Sequence, residues 1–300
     1  MRSYHVFAFN RKGIVSLCAA LVASGVLFVP VKGMAQTDIS GQNTYTMSDG
    51  GSTATVNVVN SGTLGMNSWT VLGGQNQLNQ QWFWYSINGV APQPISAIGT
   101  ATVYNVNDNP NLNDLAVIYQ NAQLEVSVEY TLSGNGVNSG SADMGESLMI
   151  VNNSASSIDL SFYQYSNFDL LQNNNNDVSI SGSSGAYTGA LQTTGGPGGT
   201  GIGEVILGPN ANYAEAAQVP QTLNELNNPL NSNFNLNDSI SASGDVSWAF
   251  QWNATLNPGD MLDLTKNKGL SVQIVPEPST VALVALGVGA LGWTLRRKSA

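Results

Sequence analysis

The chain has 300 residues, with nineteen acids, nine Lys and Arg, one His, one Cys and a net charge of −10. Between residues 36 and 275 there are eighteen acids and only two bases, Lys266 and Lys268, a net of −16, because His5, Cys18 and the other bases all lie in the two ends. That stretch excludes a Ser-His-Asp triad, thiolate chemistry, disulfides and Cys-type zinc sites, and its acidity disfavours nucleic acid and anionic membranes as partners.

In chain order, Arg2, Arg11 and Lys12 precede an apolar run from Ile14 to Val31. Gly33-Met34-Ala35 then offers small residues at −3 and −1 to a cut between Ala35 and Gln36. A basic start, an apolar middle and a small-residue cleavage site predict a secretory signal peptide, and a signal helix, over residues 1–35.

The stretch 36–275 is rich in Asn, Ser, Gly, Thr and Gln, with apolar residues in short bursts. That pattern predicts many strands joined by polar turns. Residues 53–59 alternate, and 81–87 form a strand ending at the turn pair Asn88-Gly89. Strands follow over 97–106, 115–119 and 124–132, the last with Leu124, Val126, Val128 and Tyr130 on one face. Residues 147–152 and 157–165 read as a strand pair, and 177–181 and 203–207 as further strands. Residues 212–218 and 221–227 read as short helices. Strands resume over 239–243 and 245–255, and the turn Asn257-Pro258-Gly259-Asp260 leads to a last pair, 261–265 and 270–275.

Ten or more short strands predict an all-β fold: one antiparallel β-sandwich, jelly-roll or immunoglobulin-like, over residues 36–275, with one or two short helices. After it, Val275-Pro276-Glu277-Pro278 stops any regular element. The apolar run Val281–Leu295 predicts a C-terminal transmembrane helix, slightly shorter than the usual ~20 residues unless Ser279 and Thr280 extend it. Arg296-Arg297-Lys298 should remain on the cytoplasmic side.

The order Pro276-Glu277-Pro278, apolar span, Arg-rich end resembles the PEP-CTERM sorting signal. The resemblance covers 276–300. It implies recognition by an exosortase in the inner membrane of a Gram-negative bacterium that makes exopolysaccharide. It also implies cleavage near Pro276-Glu277-Pro278 and delivery to the cell surface or extracellular matrix, with the C-terminal helix as a transient or retained anchor and signal peptidase acting at the other end. Ser147–Ser154, Phe162–Leu170, Trp248–Trp252 and Leu256–Gly259 are similar to runs in uncharacterised proteins of the same group, which implies a shared exported β-domain without an assigned activity.

Several groups are candidates for chemistry. Gly196–Gly201 has the letters of G-x-G-x-x-G, but lies in Gly- and Thr-rich coil where a dinucleotide site needs a strand before it and a helix after it. Calcium is bound by oxygens of Asp, Asn and backbone carbonyls, and Asp108 and Asp114, among Asn109, Asn111 and Asn113, are the candidate ligands. Asp143 with Glu146 and Asp260 with Asp263 are further acidic groups. Glu125 and Glu129 share a strand face, but at roughly 13 Å they stand too far apart for a glycosidase pair. Trp82, Trp84 and Tyr85 are the candidate glycan-binding aromatics, because the predicted strand Gln81–Ile87 carries aromatics on both faces. Trp248, Phe250 and Trp252 share one face and read as core.

No catalytic residue, organic cofactor or nucleic-acid partner is expected. The favoured function is a non-enzymatic surface or matrix protein contacting exopolysaccharide or other surface components. The alternatives are a secreted carboxylate-dependent glycan hydrolase and a self-assembling coat subunit.

Overall fold

The computed structural model describes residues 36–59, 63–71, 74–194 and 200–272. The expected signal helix and transmembrane helix lie outside these residues, and no helix among the described residues is long and apolar enough to cross a membrane.

In chain order the first strands are β1 (Thr37–Asp38), β2 (Thr44–Asp49), β3 (Ser52–Asn57), β4 (Gly65–Thr70), β5 (Leu78–Ile87), β6 (Gln93–Pro94), β7 (Thr102–Asn105), β8 (Asp114–Gln120) and β9 (Leu124–Gly134). Then come β10 (Ser141–Asn152), β11 (Ile158–Phe168), β12 (Asn176–Ser181), β13 (Gly189–Thr194), β14 (Gly201–Gly208), β15 (Tyr213–Gln218), β16 (Ser241–Gly244), β17 (Val246–Leu256) and β18 (Met261–Ser271). The helix α1 (Gln221–Leu226) sits between β15 and β16.

These strands build two antiparallel sheets packed as a sandwich. One has ten strands in the order β1-β7-β8-β9-β10-β18-β14-β13-β12-β16. The other runs β15-β17-β11-β5-β4-β3-β2, with β6 added to β5. Period-2 alternation fixes which face is inside. On β9, Leu124, Val126, Val128, Tyr130 and Leu132 are buried, while Glu129 is exposed. On β17, Trp248, Phe250 and Trp252 stand opposite Ser166, Gln164 and Phe162 of β11 and are buried, as their shared face predicts.

Four local expectations are corrected. Residues 147–152 and 157–165 do not pair with each other. β10 pairs with β9 and β18, whereas β11 pairs with β5 and β17 in the other sheet. Asn152 makes this corner. Its Nδ2 donates to Ser156 O (2.8 Å) and Leu256 O (2.9 Å), and its Oδ1 accepts from Ser154 N (2.9 Å). Its backbone also binds Gly259 N and Asp260 O, so the crossing from β17 to β18 lies beside the crossing from β10 to β11.

Second, 261–265 and 270–275 are not a pair. One continuous strand, β18, runs through Lys266-Asn267-Lys268-Gly269, because the two lysines alternate inward and meet carboxylates there. Third, 212–218 is strand rather than helix. β15 pairs along β17 from Tyr213↔Gln251 to Gln218↔Val246, and this pairing overrides the helical preference of its Ala residues. The second expected helix forms as α1. Fourth, of 97–106, only Thr102–Asn105 is strand, preceded by a 3-10 turn at Ile95–Ala97.

The Asn88-Gly89 turn forms with φ of 53° and 73°, as a tight hairpin requires. A Cβ on Gly89 would also lie 2.1 Å from Asn233 Oδ1, so this glycine permits a close approach to the loop that lines the groove described next.

Candidate functional site

The eight-stranded sheet is covered on both faces over part of its area. Its inner face meets the other sheet. Its outer face is covered by α1 and the chain following it: Trp84 Nε1 donates to Asn227 Oδ1 (3.0 Å), Tyr163 Oη to Phe234 O (2.8 Å), and Leu236 N to Gln251 Oε1 (3.0 Å). Beyond this cover, a groove of about 630 Å³ opens on the sheet's outer face.

Cross-strand register sets its floor. Ser86 of β5 stands opposite Ser161 of β11, Ser161 opposite Asn253 of β17, and Asp159 opposite Thr255. Asn88, Asn233, Phe234 and Asn235 complete the rim. The polar groups hold one another in place. Asn88 and Asp159 exchange hydrogen bonds, Asn88 N to Asp159 O (2.8 Å) and Asp159 N to Asn88 Oδ1 (2.9 Å). Thr255 Oγ1 donates to Asp159 Oδ1 (2.8 Å). Gln251 Nε2 donates to Asn235 Oδ1 (2.6 Å) and Asn253 Oδ1 (2.8 Å). Beneath the rim, the Tyr163 ring packs 5.9 Å from Phe234, and burial pushes its hydroxyl up to about 12. Asp159 is the one carboxylate among the described residues that line the groove.

The aromatics expected to hold a sugar do not reach solvent. Trp82 and Trp84 are 0 % and 1 % exposed. Trp82 packs edge-on to Tyr119, and Trp84 edge-on to Tyr165 beneath the Asn227 contact. Tyr85 is half-buried against the core. Both faces of β5 are aromatic because both are covered. Asp108 and Asp114 have separate partners: Thr37 Oγ1 donates to Asp108, and Asn107 Nδ2 to Asp114. Asp260 accepts from Asn257 N and Nδ2 as turn chemistry (both 2.9 Å). Among the described residues no three acids gather as a metal-binding group. Gly196–Gly199 lie outside the described residues, and the segment joins β13 to β14, with no helix after it. Ala35, Pro276, Glu277, Pro278, Arg296, Arg297 and Lys298 also lie outside them, whereas Gln36 is described.

A second constellation escaped the sequence reading. Lys266 and Lys268 are enclosed between the sheets with Glu146 of β10, Glu204 of β14 and Gln164 of β11, all 0–2 % exposed. Register sets Glu146 opposite Lys266 and Glu204 opposite Lys268. Lys268 Nζ lies 2.6 Å from Glu146 Oε1 and 3.3 Å from Glu204 Oε1. Lys266 Nζ binds Glu146 Oε2 and Gln164 Oε1, lies 3.7 Å from Glu204 Oε1, and stands over the Phe83 ring at 4.5 Å. Glu204 Oε2 accepts from Gln164 Nε2 (2.8 Å) and Trp248 Nε1 (2.9 Å).

Burial alone would raise Glu146, but the two ammoniums beside it outweigh burial and hold its carboxyl below its ordinary 4.5. A carboxyl depressed by folding contributes stability above its ordinary value and loses it as pH falls through the folded one. The contribution of Glu146 to thermal stability should therefore be fully present above its ordinary value and be lost as pH falls below it. Glu146→Gln should be less stable at neutral pH and show a shallower acid decline.

Residues 275–298 match the PEP-CTERM protein-sorting motif. The described body is thus a two-sheet β-protein, and the chain carries a C-terminal match to a sorting signal. That motif implies export, exosortase processing and surface sorting. No curated protein sequence matches it. Among solved structures, it is similar to a protein assigned as an aldose 1-epimerase from Escherichia coli K12, at 10% identity and TM-score 0.47, covering 80% of this chain and 100% of that one. A galactose mutarotase-like protein from Lactobacillus casei is similar at 9% identity and TM-score 0.45, covering 76% and 99%. A polysaccharide lyase is similar at 11% identity and TM-score 0.45, covering 79% and 34%. All three are too distant to carry chemistry to this chain.

Proposed function

We propose that the exported sandwich is a non-enzymatic surface or matrix module that contacts exopolysaccharide through the groove beside Asn88-Gly89. The groove itself carries this reading: Ser86, Asn88, Asp159, Asn233, Asn253 and Thr255 line about 630 Å³ together with Phe234. Amides and hydroxyls offer donors and acceptors together, which is what a sugar's hydroxyls need, and an aromatic ring offers an apolar face. The hydrogen bonds among the rim residues hold these groups in place before a ligand arrives, which lowers the ordering cost of binding.

Hydrolysis is less well supported. Carboxylate-dependent glycosidases take a pair of acids across the scissile bond, and the groove offers Asp159 alone. Glu146 and Glu204 do share lysines, but both are sealed in the core. The body's net charge of −16 favours a neutral glycan, or an acidic one bridged by Ca2+. Signal peptidase and an exosortase would act on the ends during export, with the C-terminal helix in the inner membrane at least transiently.

The test is retention of the purified protein on exopolysaccharide from the producing cell, with and without Ca2+. Asn253→Ala combined with Asp159→Ala should weaken retention about tenfold or more, the equivalent of ~1.4 kcal/mol. Retention unchanged in that double variant, or none by the parent protein in either condition, would sink the proposal.

A further inference from the structure

The enclosed cluster sets a primary amine against a carboxamide. Lys266 comes from β18 of the ten-stranded sheet and Gln164 from β11 of the eight-stranded one, and Lys266 Nζ binds Gln164 Oε1 in the core between them. We propose that Lys266 Nζ and Gln164 Cδ become joined by an intramolecular isopeptide bond, formed by the folded chain itself with release of ammonia. The bond would staple the two sheets together in a body that contains no cysteine.

Each requirement of that reaction has a residue in place. The nucleophile is held at hydrogen-bonding range of the amide it attacks, which makes the encounter intramolecular. Glu146 Oε2 binds the same nitrogen and is the proton acceptor. Glu204 reaches both nitrogens: Oε2 accepts from Gln164 Nε2 at 2.8 Å, and Oε1 lies 3.7 Å from Lys266 Nζ. Ser166 Oγ, 3.0 Å from Gln164 Nε2, orients the leaving group. Enclosure keeps water from competing as the nucleophile.

The cluster also distinguishes the two lysines. Burial pulls the Lys266 amine down to about 8, so it gives up a proton readily. Burial acts on Lys268 in the same direction, but Glu146 and Glu204 outweigh it and hold that ammonium above the ordinary lysine range. Lys266 is thus the nucleophile and Lys268 the resident cation.

The step balances without an oxidant or co-reactant. The Lys266 ammonium gives one proton to Glu146. The neutral Nζ attacks Gln164 Cδ, and the C=O bond opens to an oxyanion. Glu204 carries a second proton from the attacking nitrogen to Gln164 Nε2. The C=O re-forms, the Cδ–Nε2 bond breaks and neutral ammonia leaves. The products are a secondary amide, a protonated Glu146, an ionised Glu204 and the Lys268 ammonium, so the core remains neutral.

The experiment is mass spectrometry of the purified full chain after denaturation, with peptide mapping by pepsin and by trypsin. The expected result is a peptic branched peptide containing both Gln164 and Lys266, lighter by one ammonia than its two linear parts. Trypsin should then fail to cut after Lys266 while still cutting after Lys268. Mapping is essential because Gln36, if it becomes the mature N-terminus, loses the same mass on cyclising. Lys266→Arg should abolish the branch, and Glu146→Gln should reduce its yield at least tenfold. Linear peptides with intact Gln164 and Lys266 from folded parent protein would overturn the proposal, as would a branch through Lys268. The parent map decides the matter even if a variant fails to fold.

Discussion

Lys268→Met should lower the free energy of unfolding by about 3–5 kcal/mol, read as a shift in denaturant midpoint at unchanged slope. The ammonium is 0 % exposed and contacts Glu146 at 2.6 Å and Glu204 at 3.3 Å. Met fills a similar volume, so packing is largely kept and the loss comes from the charge. With the cation gone, two buried carboxylates face each other with less compensation, and water cannot reach them. Removing charge in pairs should behave differently. Lys268→Met with Glu146→Leu leaves Lys266 with Glu204 and should recover most of the loss, because a buried ion pair replaced by apolar side chains is often neutral or stabilising. A single variant as stable as the parent would mean that the quartet is not formed in the folded protein.

Trp248→Ala should cost about 4 kcal/mol or more, measured in the same way. Its ring lies stacked on Phe168 with centroids 5.4 Å apart and planes at 9°. Alanine would leave a cavity in the middle of the sandwich, which strand pairing on both sides prevents from collapsing. It would also remove the Nε1 donor to Glu204 Oε2, so a buried carboxylate would lose a partner in the same step. Trp248→Phe separates these contributions: the stacked ring remains, the donor is lost, and the expected cost falls to about 1.5–3 kcal/mol.

Much of the fold could be read from local pattern. The alternation over Leu124–Leu132, the single face of Trp248, Phe250 and Trp252, and the Asn88-Gly89 turn all appear where period and turn chemistry place them. What escaped depends on contacts between distant parts of the chain. Residues 147–152 and 157–165 look like a hairpin because they are adjacent and alternate. The Asn152 side chain, reaching Ser156 and Leu256, turns them into different sheets instead. The aromatics of β5 suggested an exposed binding face, since half-covered strands usually bury one side. The cover over the other side comes from Asn227 and Phe234, far along the chain.

The lysines could have been found. Leu264, Lys266, Lys268 and Leu270 alternate, so a single strand through them sets both cations on the buried face. Lys266-Asn267-Lys268-Gly269 reads locally as a turn, and that reading hid the signal. The groove left less trace, because Asn, Ser and Thr occur throughout the body and only three-dimensional register brings Ser86, Ser161 and Asn253 into one row.

The most direct test of export and sorting is mass spectrometry of the mature protein from surface and medium fractions of the producing cell. A chain that begins at Gln36 and ends near Pro276-Glu277-Pro278 is the predicted result. A surface-located chain that retains Met1–Ala35, or one that still carries Val281–Ala300, would contradict it.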